Sequence, residues 1–172
     1  MATPKYSMIE FERRWLLPST FTSMLQESSY KKIEDLYLSC GQLRLRAITD
    51  SQTGKLEFKF CKKYGSISTG AEPIVNIYLS IEEYGVLSTL PGHKIKKKRY
   101  KHVVSSTVYS IDVFEGDLSG LILCEVEAAS EVMLNQIPNP SIAIKEVTGD
   151  PKFCGGGLCL LNRDEVAYLL SK

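Results

Sequence analysis

With 44% hydrophobic and 24% charged side chains in 172 residues, the chain has the material for a folded core and is too apolar for a disordered one. A net charge of +1 argues against a general nucleic-acid binder, and no apolar run approaches the roughly 20 residues that span a bilayer. The five cysteines (Cys40, Cys61, Cys124, Cys154, Cys159) are odd in number without zinc-type spacing, and the N-terminus lacks a secretion signal's apolar core; both predict reduced thiols in a cytoplasmic protein.

Residues 8–17 read as a first strand ended by Pro18, and residues 19–26 as a short helix with Phe21, Met24 and Leu25 on one side. Residues 33–38 and 42–49 read as strands joined by a turn at Ser39-Cys40-Gly41. A second turn over 50–54 leads to a strand over 55–62, a polar, Gly-rich loop over 64–73 and a strand over 74–79. Ser80 and Glu83 form a capping-box pattern that opens a helix running to about Leu90 and stopping at Pro91-Gly92. Strands follow over 95–104, 108–114 and 121–128, then a helix over 130–137 that Pro138 and Pro140 break. Gly155-Gly156-Gly157 reads as a flexible turn, and Asn162 with Glu165 caps a last helix over 164–170. Eight strands and a few short helices over residues 1–172 predict a single α+β domain with a strongly curved antiparallel sheet.

Charge alternates with apolar residues along several of these strands. Residues two apart in a strand share a face. Glu10, Glu12 and Arg14 therefore stand on one side, with Phe11 and Trp15 on the other. Arg44 and Arg46 alternate with Leu43 and Leu45, and Glu125 and Glu127 with Cys124 and Val126. Lys97 and Arg99 are assigned inward. Adding Lys59, with Glu57 beside it, and Asp112 completes the candidate inner set. An isolated ExE or RxR strand is most often a solvated outer face. Four strands with like-sign pairs are a different matter. So many charges in a dry interior would cost several kcal/mol each. The interior must then be wet, or filled by something that offsets them. Paired carboxylates suit a hard divalent cation and paired guanidinium groups suit a polyanion, so a metal-bound polyphosphate meets both demands. The two histidines, His93 and His102, offer no nucleophile-and-base pair, which leaves water as the attacking group.

These blocks resemble the CYTH-type, or triphosphate tunnel metalloenzyme, superfamily over nearly the whole length. Glu10-Phe11-Glu12-Arg13-Arg14 is similar to the family's ExExK strand, with Arg14 in the lysine position. Leu43-Arg44-Leu45-Arg46 resembles its LRxR strand and Lys97-Lys98-Arg99-Tyr100 its KxRY strand. Ile111-Asp112-Val113-Phe114-Glu115-Gly116 followed by Glu125-Val126-Glu127, and Glu146-Val147-Thr148-Gly149-Asp150-Pro151-Lys152-Phe153, resemble its last two blocks. Where many members carry an RxExE strand this chain reads Ile74-Val75-Asn76-Ile77-Tyr78-Leu79, which predicts a depleted wall.

The resemblance implies an eight-stranded antiparallel β-barrel, or tunnel, with short helices packed outside and chemistry dependent on Mg²⁺ or Mn²⁺. Glu10, Glu12, Asp112, Glu125 and Glu127 would hold the metal, and Arg14, Arg44, Arg46, Lys59, Lys97, Arg99 and Lys152 the phosphates. The expected catalytic set is Glu10, Glu12, Lys59, Glu125 and Glu127. The expected activity is hydrolysis of inorganic tripolyphosphate or an organic triphosphate. A class IV-type adenylate cyclase and a non-catalytic polyphosphate or nucleotide sensor are the alternatives. The expected partner is a small-molecule triphosphate, with no nucleic acid and no membrane, acting on a monomer or homodimer.

Overall fold

The computed structural model describes residues 4–25, 28–39 and 42–171. Nine strands occur in it: β1 (Met8–Leu16), β2 (Tyr30–Leu38), β3 (Leu43–Asp50), β4 (Leu56–Lys63), β5 (Ala71–Leu79), β6 (Gly92–Val104), β7 (Thr107–Phe114), β8 (Ile122–Ala128) and the short β9 (Lys145–Glu146). Their order is β5-β4-β3-β2-β6-β7-β8-β1-β9, all pairs are antiparallel, and β1 also pairs with β5. That last pairing closes β1 to β8 into an eight-stranded barrel. Closure removes most of the unpaired edge that an open sheet would expose.

Helices α1 (Ile81–Leu87), α2 (Glu131–Gln136), α3 (Gly155–Leu158) and α4 (Arg163–Leu170) are short, and 3₁₀ turns occupy Ser19–Leu25, Gly116–Leu118 and Pro151–Phe153. Both predicted capping boxes form, at Ser80 with Glu83 and at Asn162 with Glu165. No described helix is long and apolar enough to cross a membrane.

Several elements differ from the sequence expectation. The helix over 19–26 is a 3₁₀ turn over its described part, and α1 ends at Leu87, short of Leu90. The hairpin turn at Ser39-Cys40-Gly41 lies partly outside the described residues. β5 begins at Ala71, inside the expected loop, because Pro73 uses only its carbonyl there, accepting from the Tyr64 amide at 3.0 Å. Gly155-Gly156-Gly157 is the helical turn α3, not a flexible one. The glycines serve close packing: a Cβ at Gly155 would lie 1.7 Å from the Tyr37 hydroxyl, and one at Gly157 would lie 2.1 Å from the Pro151 carbonyl oxygen. The pairing of β9 with Trp15 and Leu16 was not legible, since two residues carry no periodicity.

Apolar residues fill three places. Trp15, Tyr109, Ile111, Cys124 and Val126 face outward from β1, β7 and β8 and are covered by Leu17, Phe21, Leu25 and Leu134. Leu36, Leu38 and Leu45 face outward from β2 and β3, under Tyr84 and Leu87 of α1. The third cluster lies at one end of the inward face. Leu16, Ile95, Phe114 and Leu123 continue the alternation of Arg14, Lys97, Asp112 and Glu125, and meet Val147, Phe153 and Leu158 of the C-terminal segment. That packing floors the barrel with apolar side chains and leaves its middle to charge.

Candidate active site

Inside the barrel is a cavity of ≈ 410 Å³. One side is acidic. β1 and β8 place Glu12 directly opposite Glu127 and Arg14 opposite Glu125, while β1 and β5 place Glu10 opposite Glu72. The other side is basic, with Arg44 and Arg46 from β3 and Lys97 and Arg99 from β6. All of these side chains line the cavity.

Arg14 ties the acidic side together and anchors it to the C-terminal segment, while Arg99 reaches it from the basic side. The Arg14 Nε donates to Glu125 at 2.9 Å, its Nη2 to Glu12, and its Nη1 to the Phe153 carbonyl at 2.7 Å. Arg99 donates to Asp112 through Nε and Nη2 at 2.6 Å, and to Glu125 through Nη2. Lys97 is only 7% exposed and also donates to Asp112, which is fully buried behind the two bases. Arg46 grips Asp35 of β2 with two bonds, at 2.6 and 2.8 Å. Arg44 has no such grip. Its Nε is buried without a hydrogen-bond partner among the described residues, the nearest carboxylate oxygen being that of Asp35 at 3.9 Å. A buried donor left unpaired costs on the order of 1–3 kcal/mol, so the site has an unmet demand for an acceptor.

Titration differs sharply along the acidic side. Burial pushes the Glu12 carboxyl up to about 7; Glu125 and Glu10 add to the rise while Arg14 and Lys63 oppose it. Burial also raises Glu127, with Glu10 and Glu125 adding to it against Arg99 and Lys63. Glu125 goes the other way: burial acts upward, but Arg14, Arg99 and Lys97 hold it well below the usual carboxylate range. Among the described residues Glu127 makes no ion pair or side-chain hydrogen bond.

The predicted residues come together with three exceptions. Asp112 shares the inward face but stands behind Lys97 and Arg99 and does not line the cavity. Lys59 also faces inward on β4 but lies off the cavity, 2.9 Å from Glu57 and 4.8 Å above the Tyr78 ring. Lys152 is exposed and absent from the lining.

Several lining residues escaped sequence reasoning. Lys63 reaches Glu10 at 2.7 Å and Glu72 at 3.2 Å, and the charge of those carboxylates holds its ammonium above its ordinary pKa despite burial. The alternation Lys59, Cys61, Lys63 along β4 carried that signal. Glu72 was hidden in the segment expected to be a loop. Its presence corrects the depleted wall: the part of β5 that lines the cavity is its first half, whereas Asn76 and Tyr78 lie beyond the lining. Asp35, Tyr37 and Thr148 also line it.

Among the described residues no three His, Cys, Asp or Glu side chains are gathered into a ready-made metal cage. The donor set nonetheless fits Mg²⁺ or Mn²⁺. Such ions bind through one or two carboxylates together with substrate phosphates, and Glu12 and Glu127 are opposed hard-oxygen donors whose charges lack full compensation.

A closed eight-stranded antiparallel barrel with inward acids and bases is the fold that the sequence resemblance implied, and solved structures share that fold. Among solved structures, the inorganic triphosphatase NE1496 is similar at 23% identity and TM-score 0.57, over 88% of this chain and 95% of that one. A second structure, of the hypothetical protein NE1496, gives 25% and 0.58, over 89% and 99%. A candidate adenylate cyclase of Bacillus halodurans, bh2851, shares the fold at 15% identity and TM-score 0.52, over 78% of this chain and 95% of that one. No protein-family model matches the chain, and no curated protein matches its sequence.

Proposed function

We propose that the protein is a divalent-metal-dependent triphosphatase that hydrolyses the anhydride of inorganic tripolyphosphate or an organic triphosphate inside its barrel. The observation that carries this reading is the facing of two charge sets across one cavity, with Arg44 Nε buried and unpaired on the basic side. Arg44, Arg46, Lys97 and Arg99 bind and orient phosphate oxygens, and Arg14 and Lys63 fix the acidic side chains in place. Glu10, Glu12, Glu125 and Glu127 hold Mg²⁺ or Mn²⁺, with Asp112 supporting the bases behind them. When bound, the ion supplies charge neutralisation on the phosphates and orients the attacking water. Among the described residues Glu127 makes no ion pair, so its carboxylate is free to take the ion.

The reading is tested by product analysis with tripolyphosphate, ATP and thiamine triphosphate, each with Mg²⁺ and with Mn²⁺. Metal-dependent orthophosphate release supports hydrolysis. Pyrophosphate with a cyclic nucleotide would make the protein a cyclase, and binding without products would make it a sensor.

A further inference from the structure

The closed barrel has a lapse in its pairing. β1 pairs with β5 only from Ala71 to Ile74, whereas β4 pairs with it from Ile74 to Leu79. Beyond Ile74, the side of β5 that faces away from β4 has no strand against it among the described residues. The direction of its backbone groups follows from two bonds. The Pro73 carbonyl accepts from Tyr64, next to β4, and the Gly70 carbonyl accepts from Glu12 of β1. Alternate residues of a strand aim their N–H and C=O to opposite sides, so Asn76 and Tyr78 present theirs to the open side.

The side chains there are aliphatic or uncharged polar. From Ile74 to Leu79 the strand carries no charge, although natural edge strands are usually protected by Lys, Pro or a bulge. Ile77 is 52% and Tyr78 67% exposed, and the neighbouring start of β1 exposes Tyr6, Met8 and Ile9. We infer that this edge is an interface between two copies of the chain, formed by antiparallel pairing of β5 with β5 of the second copy about a two-fold axis at Ile77.

The sequence is self-complementary in that arrangement. Ile77 meets Ile77 of the copy in a non-hydrogen-bonded pair, and Asn76 exchanges both backbone bonds with Tyr78 of the copy on either side of it. Val75 lies opposite Leu79 of the copy on the face that Ile77 occupies. A two-fold axis sets every residue near it against its own kind, so one charge here would meet its like. The absence of any charge on the strand itself is the electrostatic condition for self-pairing, and the Lys59 ammonium over the Tyr78 ring is already paired with Glu57.

The inference is independent of the catalytic reading and is tested on the full chain. Sedimentation velocity over a concentration series is expected to show a monomer–dimer equilibrium, with the Asn76 and Tyr78 amides gaining protection from hydrogen exchange as the dimer fills. Ile77→Lys places like charges across the axis and is expected to weaken the dimer by roughly tenfold or more while far-UV circular dichroism is unchanged. Should that variant misfold, Tyr78→Pro removes a donor that β4 does not use and serves the same purpose. A wild-type protein that stays monomeric throughout the series overturns the inference. So does a dimer that survives in the folded variants, or one that leaves those two amides unprotected.

Discussion

Arg44, whose Nε has no hydrogen-bond partner among the described residues, and Glu127, which makes no ion pair among them, stand on opposite walls of the cavity. Their roles are therefore separable. Arg44→Ala is expected to raise the Michaelis constant for tripolyphosphate roughly tenfold or more while metal affinity changes little. An unchanged Michaelis constant would remove Arg44 from the phosphate set. Glu127→Gln breaks no ion pair, so it is expected to lower kcat by about 100-fold or more at unaltered Tm. Glu125→Gln differs, because Glu125 sits between Arg14 and Arg99 and its loss strands buried charge. It is expected to lower Tm as well as turnover, by on the order of 3 kcal/mol of stability. A Tm as high as wild type would show those pairs to be dispensable. Residue-level legibility followed periodicity. Where a strand carried two like charges, as at Arg44 and Arg46, facing could be read directly. Lys63 and Glu72 were missed because each is the single cavity-facing charge at its strand's end.

At the scale of elements, the C-terminal segment depends on glycine for its approach to the barrel. Gly155→Ala would drive a Cβ into the Tyr37 ring, and relief of that overlap is expected to cost about 1–3 kcal/mol. Gly156→Ala is the control, since its Cβ would meet nothing within 4 Å and helix propensity favours alanine. Thermal denaturation of the two variants should separate them, with Gly155→Ala the less stable; equal Tm values would mean that α3 does not dock as described. Neither the helical turn nor its docking was legible, because three glycines read as flexibility unless the opposing tyrosine is known. Strands with alternating pattern were found to within a few residues. β5 was misjudged at its start because Pro73 in a sequence argues against a strand, yet here only its carbonyl is needed.

For the whole molecule, the burial of so many charges makes stability depend on pH in two opposed ways. Burial acts to raise Asp35, but Arg46 and Arg44 outweigh it and hold its carboxyl at about 2, below its ordinary value of 3.8. A depressed carboxyl stabilises the fold above its unfolded pKa, here by about 2 kcal/mol, and the contribution is lost as pH falls from about 4 through about 2. Glu12 has the opposite sign. Its carboxyl is raised to about 7, so its ionisation weakens the metal-free fold as pH rises from about 4.5 to about 7, by about 3 kcal/mol. Denaturant unfolding of the metal-free protein is expected to give Glu12→Gln a gain over wild type at pH 8 that shrinks by pH 5; a gain independent of pH would contradict the assignment. The barrel was legible as a whole because four strands shared one charged face, whereas its apolar floor was not, since Ile95, Phe114 and Leu123 read as ordinary core. The most direct test of the central claim, that the opposed walls act on a triphosphate, is phosphorus NMR of tripolyphosphate incubated with the protein and Mg²⁺ or Mn²⁺. The account predicts conversion to orthophosphate and pyrophosphate that stops on chelation and is lost in Glu127→Gln. Tripolyphosphate left intact, or cleaved equally well by that variant, would contradict it.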